Sequence, residues 1–363
     1  MSMPSGQPPG PSGGQRGPVQ PTRSARMSAW VRRRPIWSAL IAIVIVIIAV
    51  AVPVVTGALS GTQAETVYIV HQSARAVTPI STITNVAGKP IRVGSGPIAI
   101  AVAPDGKTVY VVNAYSDTVT PITTATNTPG KPIRVGKAPY RIAITPNGQT
   151  AYVTNYESNT VTPITIATNT AGKPIKVGGS PQTIAMTPDG KTAYVIGGST
   201  VTPITTATGT PGKPIEVGGV QDLSVRGANA ITPDGKTLYV ANPDSGTVTP
   251  ITTATNTAGT PIRVGRGPGA IAITPDGKTA YVASGADYPG WGTVTPVTTA
   301  TNTAGKPIRV GGQPFAIVVT RDGRTAYVVS FTAGTVTPIT TATNTPGKPI
   351  KAGKEPFALV IAS

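Results

Sequence analysis

Seven copies of the tetrapeptide Val-Thr-Pro-Ile predict an all-β fold, a seven-bladed β-propeller of four-stranded blades with velcro closure, preceded by one transmembrane helix. Three observations carry this reading. The copies begin at Val77, Val119, Val161, Val201, Val248, Val294 and Val336 (the sixth ends in Val297), at spacings of 42, 42, 40, 47, 46 and 42 residues. A self-similar period of roughly 40–50 residues is typical of propeller blades. Between the copies, short apolar runs alternate with Gly- and Pro-rich turns, as many short strands require. Ahead of the repeats, residues 36–55 form an uncharged apolar run.

Taken in order, residues 1–29 are rich in Pro, Gly, Ser and Gln. They hold too little apolar surface to offset ordering entropy, so a disordered cytoplasmic tail is expected. Residues 30–56 read as a basic flank and a signal-anchor helix. The run 36–55 is twenty residues long, which at ~1.5 Å per residue spans a ~30 Å bilayer core. Arg32, Arg33 and Arg34 precede it and Trp30 and Trp37 flank that end. Cytoplasmic cations and interfacial Trp place the N-terminus inside and the repeats outside. A cleaved signal peptide is the competing reading, with small residues near Ala58 and Ala64, but a signal h-region is usually ~7–15 residues. Residues 57–64 form a tether, and 65–363 form the repeat domain. The protein is expected at the cell membrane, single-pass, or secreted if the segment is cleaved.

Within one repeat, residues 140–144 are expected as the first strand, 145–148 as a turn with Gly148 at positive φ, and 150–154 as the second strand. Residues 161–165 are the third strand, 168–172 a loop, and 174–178 the fourth. The Pro of Lys-Pro-Ile-Arg-Val suits an outer edge strand. The Pro of Val-Thr-Pro-Ile lies in an interior strand, and must occupy a bulge or a position without a ladder partner. Residues 65–70 match the second strand and 357–361 match the first. Together they complete one blade, so the two ends of the domain are expected to pair and close the ring.

The chain resembles the YVTN β-propeller repeat family, of the YncE-like or surface-layer type, through Tyr152-Val153-Thr154-Asn155 and the related Tyr110-Val111-Val112-Asn113 and Tyr239-Val240-Ala241-Asn242. Further points of similarity are Pro-Asp-Gly-Lys at 104–107, 188–191, 233–236 and 275–278, Ala167-Thr168-Asn169-Thr170, and Val177-Gly178-Gly179-Ser180-Pro181. Val-Thr-Pro-Ile departs from the family's Val-x-Val-Ile-Asp-like strand. The resemblance implies extracytoplasmic binding or scaffolding, without one fixed activity.

The chain has no Cys and a single His, His71. That excludes disulfides, thiolate metal sites and a Cys nucleophile, and leaves no His cluster for zinc and no triad base. His71 reads as a solvated loop residue. Asp105, Asp189, Asp234, Asp276 and Asp322 belong to the recurring turns, where Asp bonds its own backbone. No cofactor, metal or catalytic residue is therefore expected. Net charge is +17, with six arginines and no acid before residue 60, which leaves 24 basic and 13 acidic residues thereafter. Arg92, Arg134, Lys176, Arg263, Arg309 and Lys351 recur on the fourth strand, broken by Glu216, and read as solvated charge.

Two irregularities break the repeat on one face. Residues 219–228 add five positions at the fourth junction and include Asp222 and Arg226. Residues 284–292 lengthen the sixth period and carry Asp287, Tyr288 and Trp291. Insertions on one face of an array often build its binding surface, and an aromatic pair beside an acid suits stacking on a sugar or anchoring a protein. The leading expectation is a non-enzymatic binding or scaffold module at the cell surface, using Asp222, Arg226, Asp287, Tyr288 and Trp291 for a cell-envelope polymer or protein. Alternatives are a propeller hydrolase such as a lactonase, by fold analogy, and polyanion or single-stranded nucleic-acid binding. Nucleic acid is not the expected partner.

Overall fold

The β-branched, Thr-rich runs do form strands. The structure, a computed structural model, describes residues 66–81, 84, 86–220, 228–285 and 291–353. The apolar run 36–55, the tether and the segment 357–361 lie outside the described residues. Among the described residues no helix is long and apolar enough to cross a membrane.

Seven antiparallel sheets follow one another along the chain. The third shows the plan. Its leading strand Pro139–Ile144 pairs with Thr150–Asn155, which pairs with Thr160–Thr165. The register shifts between Thr154 and Asn155, a bulge that accommodates Pro139 at the start of the leading strand. The first sheet has no leading strand among the described residues; it begins at Thr66–His71.

The outer edge differs from the sequence expectation. A single fourth strand over 174–178, preceded by a loop over 168–172, is replaced by two short pieces. Thr170–Ala171 pairs with Ile164 and Thr165, and Ile175–Lys176 pairs with Thr160 and Val161. The break sits opposite Pro163. The Pro163 carbonyl accepts a hydrogen bond from the Gly172 amide at 2.8 Å on this outer side. In an antiparallel strand a residue's N and C=O point the same way, so the missing N–H of Pro163 also faces the gap. The interior proline thus keeps Tyr152 as its partner on the inner side and lacks a ladder partner only on the outer side, which is one of the two solutions the sequence allows in a one-sided form. Gly172 is the residue that permits it, because a Cβ there would stand 3.2 Å from Pro163 Cγ.

Both faces of the second strand are apolar because each sheet is covered by its neighbours. One interface packs Tyr152, Val161 and Ile175 of the third sheet against Ala193, Val195 and Ile204 of the fourth. The core is a series of such layers. Polar bonds lock them: Tyr110 donates to Asn169 Oδ1 at 2.7 Å, Tyr194 to Asn256 at 2.7 Å, Tyr239 to Asn302 at 2.6 Å and Tyr281 to Asn344 at 2.6 Å, each in the following sheet. These Asn residues sit at φ of 53° to 54°, a left-handed conformation that Asn tolerates. Where Gly209 replaces Asn, Tyr152 turns to the Thr206 carbonyl at 3.0 Å.

Candidate binding face

Antiparallel connection divides each sheet's loops between two ends. The turns after the leading strand gather at one end. The start of the leading strand and the loop between second and third strands gather at the other, where both insertions fall.

The turn end is structural. Thr187, Thr232, Thr274 and Thr320 donate to Asp189, Asp234, Asp276 and Asp322 at 2.5–2.6 Å. The backbone amide two residues on donates to the same carboxylate at 3.0 Å. These bonds, the Thr hydroxyl first, hold all four carboxyls below the usual range. Lys191, Lys236, Lys278 and Arg324 add exposed ion pairs at 3.6–3.9 Å, which contribute little. Two equivalent open clefts lie between neighbouring turns, about 590 and 520 Å³ in volume. Their walls are the turn residues themselves.

At the insertion end, Asp222, Arg226, Asp287 and Tyr288 lie outside the described residues. Trp291 is described and is 75% exposed, so its indole does not fold back onto its own sheet. Its neighbour Gly292 is fixed. The Gly292 carbonyl accepts the Val310 amide at 3.0 Å, and a Cβ there would collide with Pro314. A fixed backbone beside a bare indole is the geometry of an anchor. Tyr115, 56% exposed in the equivalent loop of the second sheet, is a second bare aromatic at this end.

His71 differs from the expected solvated loop residue. It closes strand Thr66–His71, and its Nε2 lies 2.9 Å from Thr78 Oγ1. The fourth-strand cations are exposed as expected. Among the described residues no three His, Asp or Glu side chains gather as a metal site would require.

A further set of residues at the insertion end escaped the sequence reading. In register, the leading strands place Ala99, Ala270 and Ala316 at one position, opposite Val112, Ala283 and Val329. The third sheet has Arg141 there, opposite Thr154, and the fourth has Thr183. The Arg141 guanidinium stacks 4.6 Å from the centre of the Tyr140 ring, and its Nη1 donates to the Tyr140 carbonyl at 3.0 Å. Tyr140 in turn lies 6.4 Å from Tyr156. The Arg141 amide donates to Thr154 Oγ1 at 3.0 Å. One sheet further on, Asn229 Nδ2 donates to Thr183 Oγ1 at 2.9 Å. The signal was available in an alignment of the leading strands, where these residues interrupt Ala and Ile.

Solved structures share this architecture. Kuenenia stuttgartiensis hydrazine synthase is similar at 24% identity, covering 76% of this chain and 92% of that one, with a TM-score of 0.57. A functionally unknown protein from Desulfotomaculum acetoxidans DSM 771 is similar at 19% identity over 81% and 98%, with a TM-score of 0.60. The fold is a β-propeller-like repeat. At these identities the likeness concerns the propeller-like fold alone. No protein-family profile matches the chain, and no curated protein matches it.

Proposed function

We propose that this propeller-like protein is a non-enzymatic binding or scaffold module held outside a membrane by residues 36–55, with its insertion end presented to a cell-envelope polymer or protein. The exposed Trp291 on a fixed backbone carries the reading, because a large bare indole just ahead of strand Thr293–Thr298 has no packing role. The uncharged run behind Arg32, Arg33 and Arg34 supports the anchor. Pull-down from envelope fractions and a glycan array test it. Binding by the full chain that Trp291→Ala abolishes is the expected outcome, and no binding to any envelope component sinks the proposal.

The proposal includes a closed seven-bladed ring of the YVTN type, in which 357–361 supplies the leading strand of the first sheet. The reading is motivated by apolar faces at the two ends of the array that closure would cover, Ile350 among them, 53% exposed where its equivalents Ile133 and Ile308 are buried. Val67 and Ile69 in the first sheet and Tyr327 in the seventh are partly exposed, whereas their equivalents Val109, Val111 and Tyr281 are buried.

A further inference from the structure

We propose that Trp291, Arg309 and the Gly312 amide form one subsite for an acidic polysaccharide, in which a sugar ring stacks on the indole and its carboxylate or phosphate meets the guanidinium and the amide. The inference rests on the envelope-binding reading and names the class of polymer. One hydrogen bond joins the three residues. The Val310 amide donates to the Gly292 carbonyl at 3.0 Å. Arg309 is the residue before that donor, Trp291 the residue before that acceptor, and Gly312 lies two beyond the donor. Arg309 also pairs in register with Thr293, two residues after Trp291. A Cβ on Gly292 would stand 2.6 Å from the Gly311 carbonyl oxygen and would collide with Pro314. The backbone that bears the indole therefore lies directly against the segment that bears the amide.

The other sheets show what the fold itself needs here. In register, the position of Trp291 holds Ala74, Ser116, Ser158, Gly198, Ser245 and Ala333. Small residues suffice for packing, whereas the indole adds a ring that is 75% exposed. In the second and third sheets the serine has a task. Ser116 Oγ accepts the Ser95 amide at 3.1 Å, and Ser158 Oγ accepts the Lys137 amide at 2.6 Å. Gly312 is the equivalent of Ser95 and Lys137. Trp291 has no oxygen to offer it, and among the described residues the Gly312 amide has no acceptor. The residue that bares an aromatic face thus also frees an N–H beside it.

Charge selects the ligand. Arg309 is exposed, and the described acids of the sixth and seventh sheets, Asp276 and Asp322, belong to the turns at the opposite end. An exposed ion pair contributes little by itself; the indole makes the place a site. A sugar ring lays a C–H face on a π-system while its edge oxygens reach donors around it. A carboxylate or phosphate on that ring gains charge-assisted, two-pronged bonds from a guanidinium. A protein anchor, in contrast, is sealed by neighbours that exclude water, and the neighbours of Trp291 are an exposed cation and a free amide.

The test is binding of the full chain to immobilised polygalacturonate, poly(glycerol phosphate) and neutral dextran, for wild type, Trp291→Ser, Trp291→Tyr and Arg309→Glu. The first two polymers separate a carboxylate from a phosphate source. Ser and Glu already stand at these positions in other sheets, as Ser116 and Glu216, so both variants are expected to melt at the wild-type temperature. Retention on at least one acidic polymer and none on dextran is expected. Trp291→Ser and Arg309→Glu each weaken it about tenfold or more, Trp291→Tyr restores part of the loss because it keeps a ring, and added salt weakens it by screening the exposed charge. Acidic-polymer binding unchanged in either Trp291→Ser or Arg309→Glu overturns the proposal, as does a large loss of stability in either, which makes that residue a packing residue. Equal retention on dextran also overturns it, and so does capture of an envelope protein through Trp291 without retention on either acidic polymer; both leave the envelope-binding reading standing. That reading fails only when no envelope component binds at all.

Discussion

The bond from Tyr239 to Asn302 gives a sharp test of how the sheets are joined. Tyr239 is fully buried and donates to Asn302 Oδ1 at 2.6 Å, with the Thr299 carbonyl at 3.5 Å. Asn302 lies at φ 53°, so it serves twice, as acceptor and as a residue at ease in the left-handed region. Tyr239→Phe removes the donor alone and leaves an acceptor that water can reach, which costs about 1 kcal/mol. Asn302→Ala removes the acceptor and forces Ala into a conformation costing it about 1–2 kcal/mol, for a total of roughly 2–3 kcal/mol. Asn302→Gly removes the acceptor but keeps the conformation free, so about 1 kcal/mol is expected. The fourth sheet already contains that substitution as Gly209, at φ 65°, with the tyrosine hydroxyl satisfied by a carbonyl.

Urea unfolding of the full chain, followed by circular dichroism, measures all three variants and the Tyr239→Phe/Asn302→Gly double mutant. The expected order of loss is Ala above Gly, with Gly near Phe, and a coupling of about 1 kcal/mol in the cycle. A Gly variant as damaged as the Ala variant removes the backbone argument. Coupling near zero removes the bond.

Acid should act through the turns. Asp189, Asp234, Asp276 and Asp322 have folded pKa values depressed by Thr hydroxyls and then by backbone amides, so their stabilisation is present above the unfolded value of about 3.9 and is lost as pH falls through the folded values. Melting temperature should therefore be level near neutrality and fall below about pH 4, with a shallower fall after Thr→Ala at 187, 232, 274 and 320; equal slopes with and without these hydroxyls contradict the assignment. Deleting residues 354–363 should lower the melting temperature sharply if they supply the closing strand, since it uncovers a sheet edge and the faces of two sheets; an unchanged melting curve rules out the closed ring.

Much of this was legible in the sequence, for a definite reason. The leading, second and third strands follow from apolar runs bounded by Asp-Gly or Asn-Gly turns, and a sevenfold repetition multiplies a weak local signal. The outer strand was misplaced because its two pieces are set by Pro163 on a neighbouring strand. A sequence window around Thr170 contains nothing about a missing N–H seven residues earlier. His71 was placed in a loop because its own repeat is atypical, with His where Asn155 and Asn242 stand. Of the candidate site, Trp291 was found because it is chemically loud. Asp222, Arg226, Asp287 and Tyr288 were chosen for lying in the insertions, and they fall outside the described residues.

Arg141 went unread for the opposite reason: a search for repetition averages over single departures from it. Yet repetition is what makes the departure interpretable. Where Ala99, Ala270 and Ala316 sit in equivalent surroundings, the array has already run the alanine control, and it shows that packing asks for nothing larger. An arginine at that site departs from the pattern, and so does Thr154 opposite it. These departures do not share one layer: Arg141 faces the fourth sheet, whereas Thr183 faces the fifth, where Asn229 donates to it at 2.9 Å.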